Sequence, residues 1–126
     1  MARGKLEPGP DHPITVSPTG GRVVVKVGDA VVARTSDAFT LREAEYPPVQ
    51  YIPRECVDPS LLRDSTTTTF CPYKGECNYY DLTLESEVLT DAVWIYRSPY
   101  DAVAEIADHV AFYPGRVSVD VDVASG

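Results

Sequence analysis

Apolar and polar residues alternate with a period of two in several short stretches of the chain, and this pattern predicts β-strands. The clearest case is residues 117–123, where valine occupies every second position and Ser118, Asp120 and Asp122 lie between the valines. Successive side chains of a strand point to opposite faces of its sheet. We therefore expect valines 117, 119, 121 and 123 to be buried, and Asp120 and Asp122 to be exposed.

Two hairpins are predicted from the turn residues between neighbouring strands. Residues 22–27 and 30–34 are rich in valine and are separated by Gly28-Asp29. Glycine supplies the positive φ that a two-residue primed turn needs, so this segment is typical of a hairpin. Residues 110–113 and 117–123 are separated by a turn containing Pro114-Gly115, and we expect them to form a closing hairpin.

Other segments of the chain predict further strands and two short helical stretches. Strands are expected at residues 38–42, 49–52, 66–70, 79–84 and 92–96. Asp58 before Pro59 is typical of the cap of one helical turn. Ser98 and Asp101 have the spacing of a capped helix start, which predicts a short helix near residues 99–107.

Short strands with turn residues between them, and no βαβ spacing, predict a mostly β fold with antiparallel sheets in a barrel or sandwich arrangement. The length of 126 residues fits one domain. Residues 1–13 are rich in Pro and Gly, and we expect them to form a flexible arm. Residues 14–126 are then expected to form a single β domain.

Composition narrows the class of protein. The net charge of −8 at pH 7 argues against binding to a nucleic acid backbone, which needs clustered Lys and Arg. No apolar run approaches the roughly 18 residues of a membrane-spanning helix, and residues 1–8 lack the apolar core of a signal peptide. Cys56, Cys71 and Cys77 are an odd number without CxxC spacing, which favours reduced thiols. We expect a cytoplasmic protein without a membrane partner.

Two proline-containing strand ends carry the densest group of candidate binding residues. Arg54 and Glu55 follow one strand, and Lys74 follows another. Arg54 and Lys74 could together hold a carboxylate or phosphate, Arg by its planar fork and Lys as a point charge. Both side chains would then point into one concavity, with Glu55 or a bound anion offsetting their repulsion. The alternative is that Arg54 pairs with a local acid and Lys74 is solvated.

Cys71 allows two interpretations. It could be a nucleophile whose pKa is lowered by a nearby cation, or a small buried hydrophobic residue between Phe70 and Pro72. A zinc site is not predicted, because the gap between Cys71 and Cys77 is wider than the spacing of closed zinc sites. No metal and no cofactor are expected.

Aromatic and acidic residues add two further alternatives. Tyr73 and Trp94 could wall a pocket, although most aromatic residues of a chain this size belong to the core. Asp120 and Asp122 could serve metal-dependent phosphoryl transfer, but the valine alternation favours a solvated sheet face. The candidate ligand-binding residues are Arg54, Glu55, Cys71, Tyr73, Lys74 and Trp94.

These motifs resemble those of a bacterial and fungal family, the domain-of-unknown-function family numbered four hundred and twenty-seven, which is catalogued under a nucleotidyltransferase-like name. The matching stretches are His12-Pro13-Ile14, the hairpin before Ala33, Tyr46-Pro47-Pro48 with Tyr51-Ile52-Pro53-Arg54, Cys71-Pro72-Tyr73-Lys74-Gly75, Ala92-Val93-Trp94 and Val110-Ala111-Phe112-Tyr113. The sequence departs from the family pattern at Cys56, where an aspartate usually stands, and at Cys77 and Asn78.

The resemblance implies a compact β-tent, in which two antiparallel sheets meet at an angle. Three functions remain as alternatives. The first is a pocket for an anionic small molecule, for binding or catalysis, lined by the candidate residues. The second is a non-catalytic protein-interaction module, and the third is the nucleotidyl transfer that the family name suggests. The sequence leaves the oligomeric state open.

Overall fold

The computed structural model describes residues 5–123 of the chain, and ten strands make up most of this part. We number them β1 to β10 in chain order: Ile14–Pro18, Gly21–Val27, Ala30–Thr35, Phe39–Glu43, Val49–Pro53, Leu62–Cys71, Gly75–Thr83, Val88–Ile95, His109–Phe112 and Ser118–Val123. Three short 3-10 helices connect them: Arg54–Cys56, Pro59–Leu61 and Asp101–Ile106. None of the helices in residues 5–123 is both long and apolar enough to cross a membrane.

The strands form two antiparallel sheets. The larger sheet has seven strands in the order β1-β4-β5-β9-β8-β7-β6, and the smaller has three in the order β10-β2-β3. The expectation of a mostly β fold with two antiparallel sheets is therefore confirmed.

The inner face of the seven-stranded sheet packs against the three-stranded sheet. Val23 and Val25 of β2 are fully buried there, and they belong to one apolar cluster with Ile52 of β5 and Val110 of β9. Ile52 and Val110 are register partners, so they project from the same face of the sheet. This cluster is the main core of the protein.

The outer face of the same sheet carries a second apolar cluster. Tyr51 precedes Ile52 on β5, and Ala111 follows Val110 on β9. Because successive side chains of a strand point to opposite faces, Tyr51 and Ala111 lie on the outer face. The last 3-10 helix covers part of the face with Val103 and Ile106, both fully buried. The uncovered part of the outer face holds the candidate site.

The first predicted hairpin is present. Val27 at the end of β2 pairs with Ala30 at the start of β3, which leaves Gly28-Asp29 as a two-residue loop. Gly28 has a φ of +59°, as the first central position of a primed turn requires.

The predicted closing hairpin is wrong. β9 pairs with β5 and β8 in the larger sheet, whereas β10 pairs with β2 in the smaller one. The carbonyl of Tyr113 accepts hydrogen bonds from the N–H groups of Arg116 and Val117, and at this turn the chain passes between the sheets. Alternation shows that a segment is extended, but it does not determine the neighbour with which the segment pairs.

The burial pattern of β10 agrees only in part with the alternation. Asp120 and Asp122 are exposed as expected, and Val117 just before the strand is buried. Val119 is half-buried, however, and Val121 is 40% exposed, so the expectation for Val121 is wrong. β10 is an edge strand, and its far end is only partly covered. The side chain of residue 123 lies outside the described part.

The two helical predictions had different outcomes. Asp58 caps the 3-10 helix Pro59–Leu61 by accepting a hydrogen bond from the N–H of Ser60, at 2.9 Å. The later helix begins at Asp101, is of the 3-10 type, and has Tyr100 as its cap without a side-chain hydrogen bond. The predicted cap at Ser98 is therefore wrong.

The described part of the N-terminal segment contacts the domain. The N–H of Leu6 donates to the carbonyl of Pro72 at 2.9 Å, and the ammonium of Lys5 lies 5.0 Å from the centre of the Tyr100 ring. The boundary at residue 13 and the flexibility of residues 1–13 stay predictions, of which residues 1–4 lie outside the described part.

Burial in the first hairpin leads to a stability prediction. Val25→Ala should lower the free energy of unfolding by about 2 to 3 kcal/mol, because Val25 is fully buried. Val31→Ala, at a 44% exposed position of the neighbouring strand, should cost less than about 1 kcal/mol. Urea denaturation of both variants measures the difference, and equal losses would contradict the assignment of this core.

Candidate functional site

A cleft of about 210 Å³ lies on the outer face of the seven-stranded sheet. Its polar end is formed by Glu43 and Lys74. The rest of its wall is mainly aromatic, and the aromatic residues come from several strands and connections: Tyr46, Tyr51, Tyr79, Trp94, Tyr96 and Tyr113. An apolar wall with a few converging polar groups is typical of a small-molecule site.

Strand register places the central aromatic residues of the cleft. Trp94 of β8 stands directly opposite Tyr79 of β7 and, on its other side, opposite Ala111 of β9. The indole N–H of Trp94 donates to the hydroxyl of Tyr51 at 3.1 Å. The Trp94 ring also packs on Tyr113, with 4.6 Å between ring centres. These contacts hold the orientation of Trp94 in the wall.

The polar end of the cleft is an ion pair with a third member. The Lys74 ammonium lies 2.5 Å from one carboxylate oxygen of Glu43, and the Nε2 of His12 lies 2.7 Å from the other. The side chains of Lys74 and Glu43 are only 10% and 15% exposed. Buried charges need partners of this kind, because an isolated charge is costly to remove from water.

The environment lowers the pKa of Glu43. Burial by itself raises this pKa, but hydrogen bonds from Lys74 and His12, together with the charges of these residues, outweigh it and lower the pKa below the ordinary 4.5. Glu43 is therefore a carboxylate at neutral pH and a fixed acceptor for both partners.

The segment Cys71-Pro72-Tyr73-Lys74-Gly75 forms the turn between β6 and β7 that places Lys74. The N–H of Lys74 donates to the carbonyl of Cys71, and the carbonyl of Lys74 accepts from the N–H of Tyr100. Gly75 has a φ of +108°, a backbone conformation that residues other than glycine rarely adopt. The turn thus explains why glycine follows Lys74.

Tyr73 contributes to the site through His12. The two rings are stacked, with 4.1 Å between their centres and 7° between their planes. Tyr73 therefore helps to orient the imidazole that holds Glu43, and it does not itself line the cleft wall described above.

Cys71 has features of both interpretations offered for it. It is half-buried and packs against the outer-face cluster, and its Sγ lies 3.8 Å from the ammonium of Lys74. Cys77 is buried, which raises the pKa of its thiol. Cys56, Cys71 and Cys77 are all free thiols that form no disulfide among residues 5–123. Within residues 5–123, no group of three or more His, Cys, Asp or Glu side chains is arranged to hold a metal ion.

The structure places Arg54 and Glu55 away from this cleft. Arg54 is exposed at the start of a 3-10 helix, and its backbone N–H donates to the backbone carbonyl of Asp108. Glu55 borders a separate depression beside His109. Neither residue lines the cleft that contains Lys74, so the expected shared concavity of Arg54 and Lys74 is not found there. Ligand-binding roles for all six candidates stay predictions.

Several residues of the site were missed in the sequence. Glu43 stands 31 residues before Lys74, and no local pattern connects the two. A signal did exist for His12, Tyr46 and Tyr51, because each belongs to a stretch that carries the family resemblance.

The Glu43 network predicts a pH dependence of stability. Because the folded-state pKa is lowered, the stabilisation is present above the unfolded-state pKa and is lost as the pH falls through the folded-state pKa. The difference in unfolding free energy between the native protein and Glu43→Gln should therefore shrink between about pH 6 and about pH 3. Urea denaturation at several pH values measures it.

Glu45→Gln is the matched control for that experiment. Glu45 is exposed two residues further along the chain. Its substitution should shift stability little at any pH in the series. If the unfolding free energies of Glu43→Gln and of the native protein differed by the same amount at every pH, the carboxylate would not be stabilised by its partners.

Comparison with known protein families identifies the family of this chain. A search of the curated proteins found no relative of this chain. A family model with a nucleotidyltransferase-like name matches residues 15–123, which include nearly the whole β domain and the turn that carries Lys74. Since this match covers most of the chain, the protein belongs to the family described as domain of unknown function DUF427.

Proposed function

We propose that this protein binds a small anionic molecule in the aromatic cleft, with Lys74 contacting the anionic group. The observation that carries the proposal is a nearly buried ammonium at one end of an aromatic wall. In such a site the aromatic residues supply apolar contact area, and the charged group fixes the orientation of the ligand.

The hydrogen-bond capacity of Lys74 supports an acceptor on the ligand. An ammonium has three N–H donors, of which one contacts Glu43 and a second is directed to the Sγ of Cys71 at 3.8 Å, so that one donor remains. Glu43 divides its charge between Lys74 and His12, one on each carboxylate oxygen. A ligand carboxylate or phosphate can therefore use a donor of Lys74 on the cleft side, and a charged acceptor gives a stronger hydrogen bond than a neutral one.

The size of the cleft restricts the ligand. Its volume of about 210 Å³ is below the roughly 300 to 1,000 Å³ typical of ligand pockets. The cleft fits a compact molecule or one end of a longer one. An enzymatic version of the function would use Cys71 as the nucleophile, because its Sγ lies 3.8 Å from the ammonium of Lys74.

One observation favours the alternative of a protein-interaction module. A groove of about 290 Å³ runs beside the edge strand β10, and its lining includes Pro48, Phe112, Val119 and the exposed Val121. Exposed apolar surface of this kind is common where partners bind. Nucleotidyl transfer has the name of the family model as its support. Free cysteines fit a reducing compartment, and we propose the cytoplasm.

A ligand screen with variants tests the anion proposal. A thermal-shift screen of carboxylates and phosphates identifies stabilising compounds, and isothermal titration calorimetry gives their dissociation constants. Lys74→Met should weaken the binding of such a compound at least about tenfold, because a hydrogen bond to a charged group contributes about 1.5 to 3 kcal/mol.

Two further variants separate binding from folding. Lys26→Met removes a lysine of β2 in the other sheet, and it should leave the dissociation constant unchanged. Lys74→Met combined with Glu43→Gln avoids leaving a buried carboxylate without its ammonium, and it should also weaken binding. Full affinity in both Lys74 variants would reject the proposal and favour the interaction module.

A further inference from the structure

We infer that the cleft continues into a second polar subsite, formed by Thr67, Thr69, Asp91 and Arg116, that binds a hydroxylated ring. The ligand class would then be an anionic sugar or a similar polyol, with its anionic group at Lys74 and its hydroxyl groups at this subsite. The inference rests on the proposed function and specifies its ligand.

The two regions are continuous across the outer face. A concavity of about 360 Å³ is lined by the four residues of the second subsite together with Tyr79 and Tyr113. The same two tyrosines line the cleft that contains Lys74. Thr69 lies two residues before Cys71 on β6, or about 7 Å along the strand, and the Sγ of Cys71 lies 3.8 Å from the ammonium of Lys74. A molecule with two recognised ends can span these distances.

The backbone at the second subsite is irregular. Asp91 has a φ of +52°, a left-handed conformation that is uncommon outside glycine. The pairing of β6 with β7 shifts register between Asp64 and Thr68, and that of β7 with β8 shifts between Tyr80 and Leu82. Irregularities of this kind redirect side chains and occur next to functional sites.

Hydrogen bonds fix the carboxylate of Asp91. One of its oxygens accepts from the hydroxyl of Ser65 at 2.5 Å, and the other accepts from the hydroxyl of Thr67 at 2.7 Å. Its backbone N–H donates to Asp81 at 2.9 Å. A carboxylate has about four lone-pair positions, so each oxygen of Asp91 can accept a second hydrogen bond.

Arg116 brings a donor beside this acceptor. Its guanidinium donates to the carbonyl of Thr90, the residue before Asp91. A guanidinium has five N–H donors, so this contact leaves donors for a ligand. Each hydroxyl of a vicinal diol both donates and accepts, and a carboxylate next to a guanidinium complements it.

The tyrosines between the two ends suit a sugar ring. Tyr79 has its hydroxyl 3.0 Å from the hydroxyl of Thr69, which holds the phenol ring at the boundary of the two regions. Aromatic rings offer flat apolar faces to the C–H groups of a sugar, and their hydroxyls supply polar contacts at the edge.

A matched ligand series tests the inference. NMR titration of the ¹⁵N-labelled protein gives dissociation constants for inorganic phosphate, cyclohexylmethyl phosphate, glucose 6-phosphate, galactose 6-phosphate and ribose 5-phosphate. Cyclohexylmethyl phosphate has the ring and the anion without the ring hydroxyls. At least one sugar phosphate should bind about tenfold more tightly than this analogue, because a site built for hydroxyls rejects a ligand that lacks them. The amide signals of Thr67 and Asp91 should shift with the sugar phosphate.

Variants on two different segments check the subsite. Thr67→Val and Arg116→Gln should each reduce the preference for the sugar phosphate over cyclohexylmethyl phosphate to about onefold to threefold. Arg22→Gln, on an exposed position of the three-stranded sheet, should leave the preference unchanged. The two test variants lie on separate segments, so misfolding of one does not prevent the test.

The outcomes distinguish this inference from the function on which it rests. If phosphate and cyclohexylmethyl phosphate bind in a Lys74-dependent manner and no sugar phosphate binds better, the second subsite is rejected and the anion site stands. If no compound of this series depends on Lys74, the sugar phosphate inference is rejected. The anion site is then rejected only if the carboxylates of the screen also bind independently of Lys74.

Discussion

Both faces of the seven-stranded sheet are apolar and must be covered by other parts of the chain. This constraint organises the protein. The three-stranded sheet covers the inner face with the valines of β2, and the last 3-10 helix covers part of the outer face with Val103 and Ile106. A helix of six residues is too short to cover seven strands. The remainder of the outer face forms a cleft instead of a packed core, and its wall consists of large aromatic residues.

Glu43 connects three distant parts of the chain at the end of this cleft. It stands at the end of β4 and binds both Lys74, from the turn after β6, and His12, from the N-terminal segment. A nearly buried ion pair is a weak argument for stability, because the loss of hydration offsets much of the attraction. Its clearer effect is on position, because it fixes the Lys74 ammonium at the end of the aromatic wall. Tyr73 stacks on the ring of His12 and so helps to fix the third member of the network.

The outer face also shows how one sheet can combine different kinds of polar site. At one end, a glycine-containing turn places Lys74 against Glu43 of β4. At the other, Asp91 lies beside Arg116 where the strand pairing is irregular. Tyr79 and Tyr113 connect the two. The apolar groove beside β10 shares Val49 and Trp94 with the cleft, and it is the feature that a protein partner would use.

Local patterns in the sequence determined much of the secondary structure. Alternation and β-branched runs identified β2 to β10, whereas β1 was missed. Gly28 identified the first hairpin, and Asp58 with Pro59 identified a capped turn. These features depend on residues close together in the chain, so the physical cause lies within each segment.

Tertiary structure decided the pairing of the last two strands and the composition of the site. β9 and β10 belong to different sheets, because the choice between neighbours depends on which faces remain to be buried. Arg54 and Lys74 both follow strand ends, but only Lys74 lines the cleft with Trp94. The partner of Lys74 is Glu43, 31 residues away, and such a pair forms only when the sheet brings distant strand ends together. Alternation in the sequence indicates the face on which a side chain lies, whereas its neighbours on that face depend on the order and curvature of the folded strands.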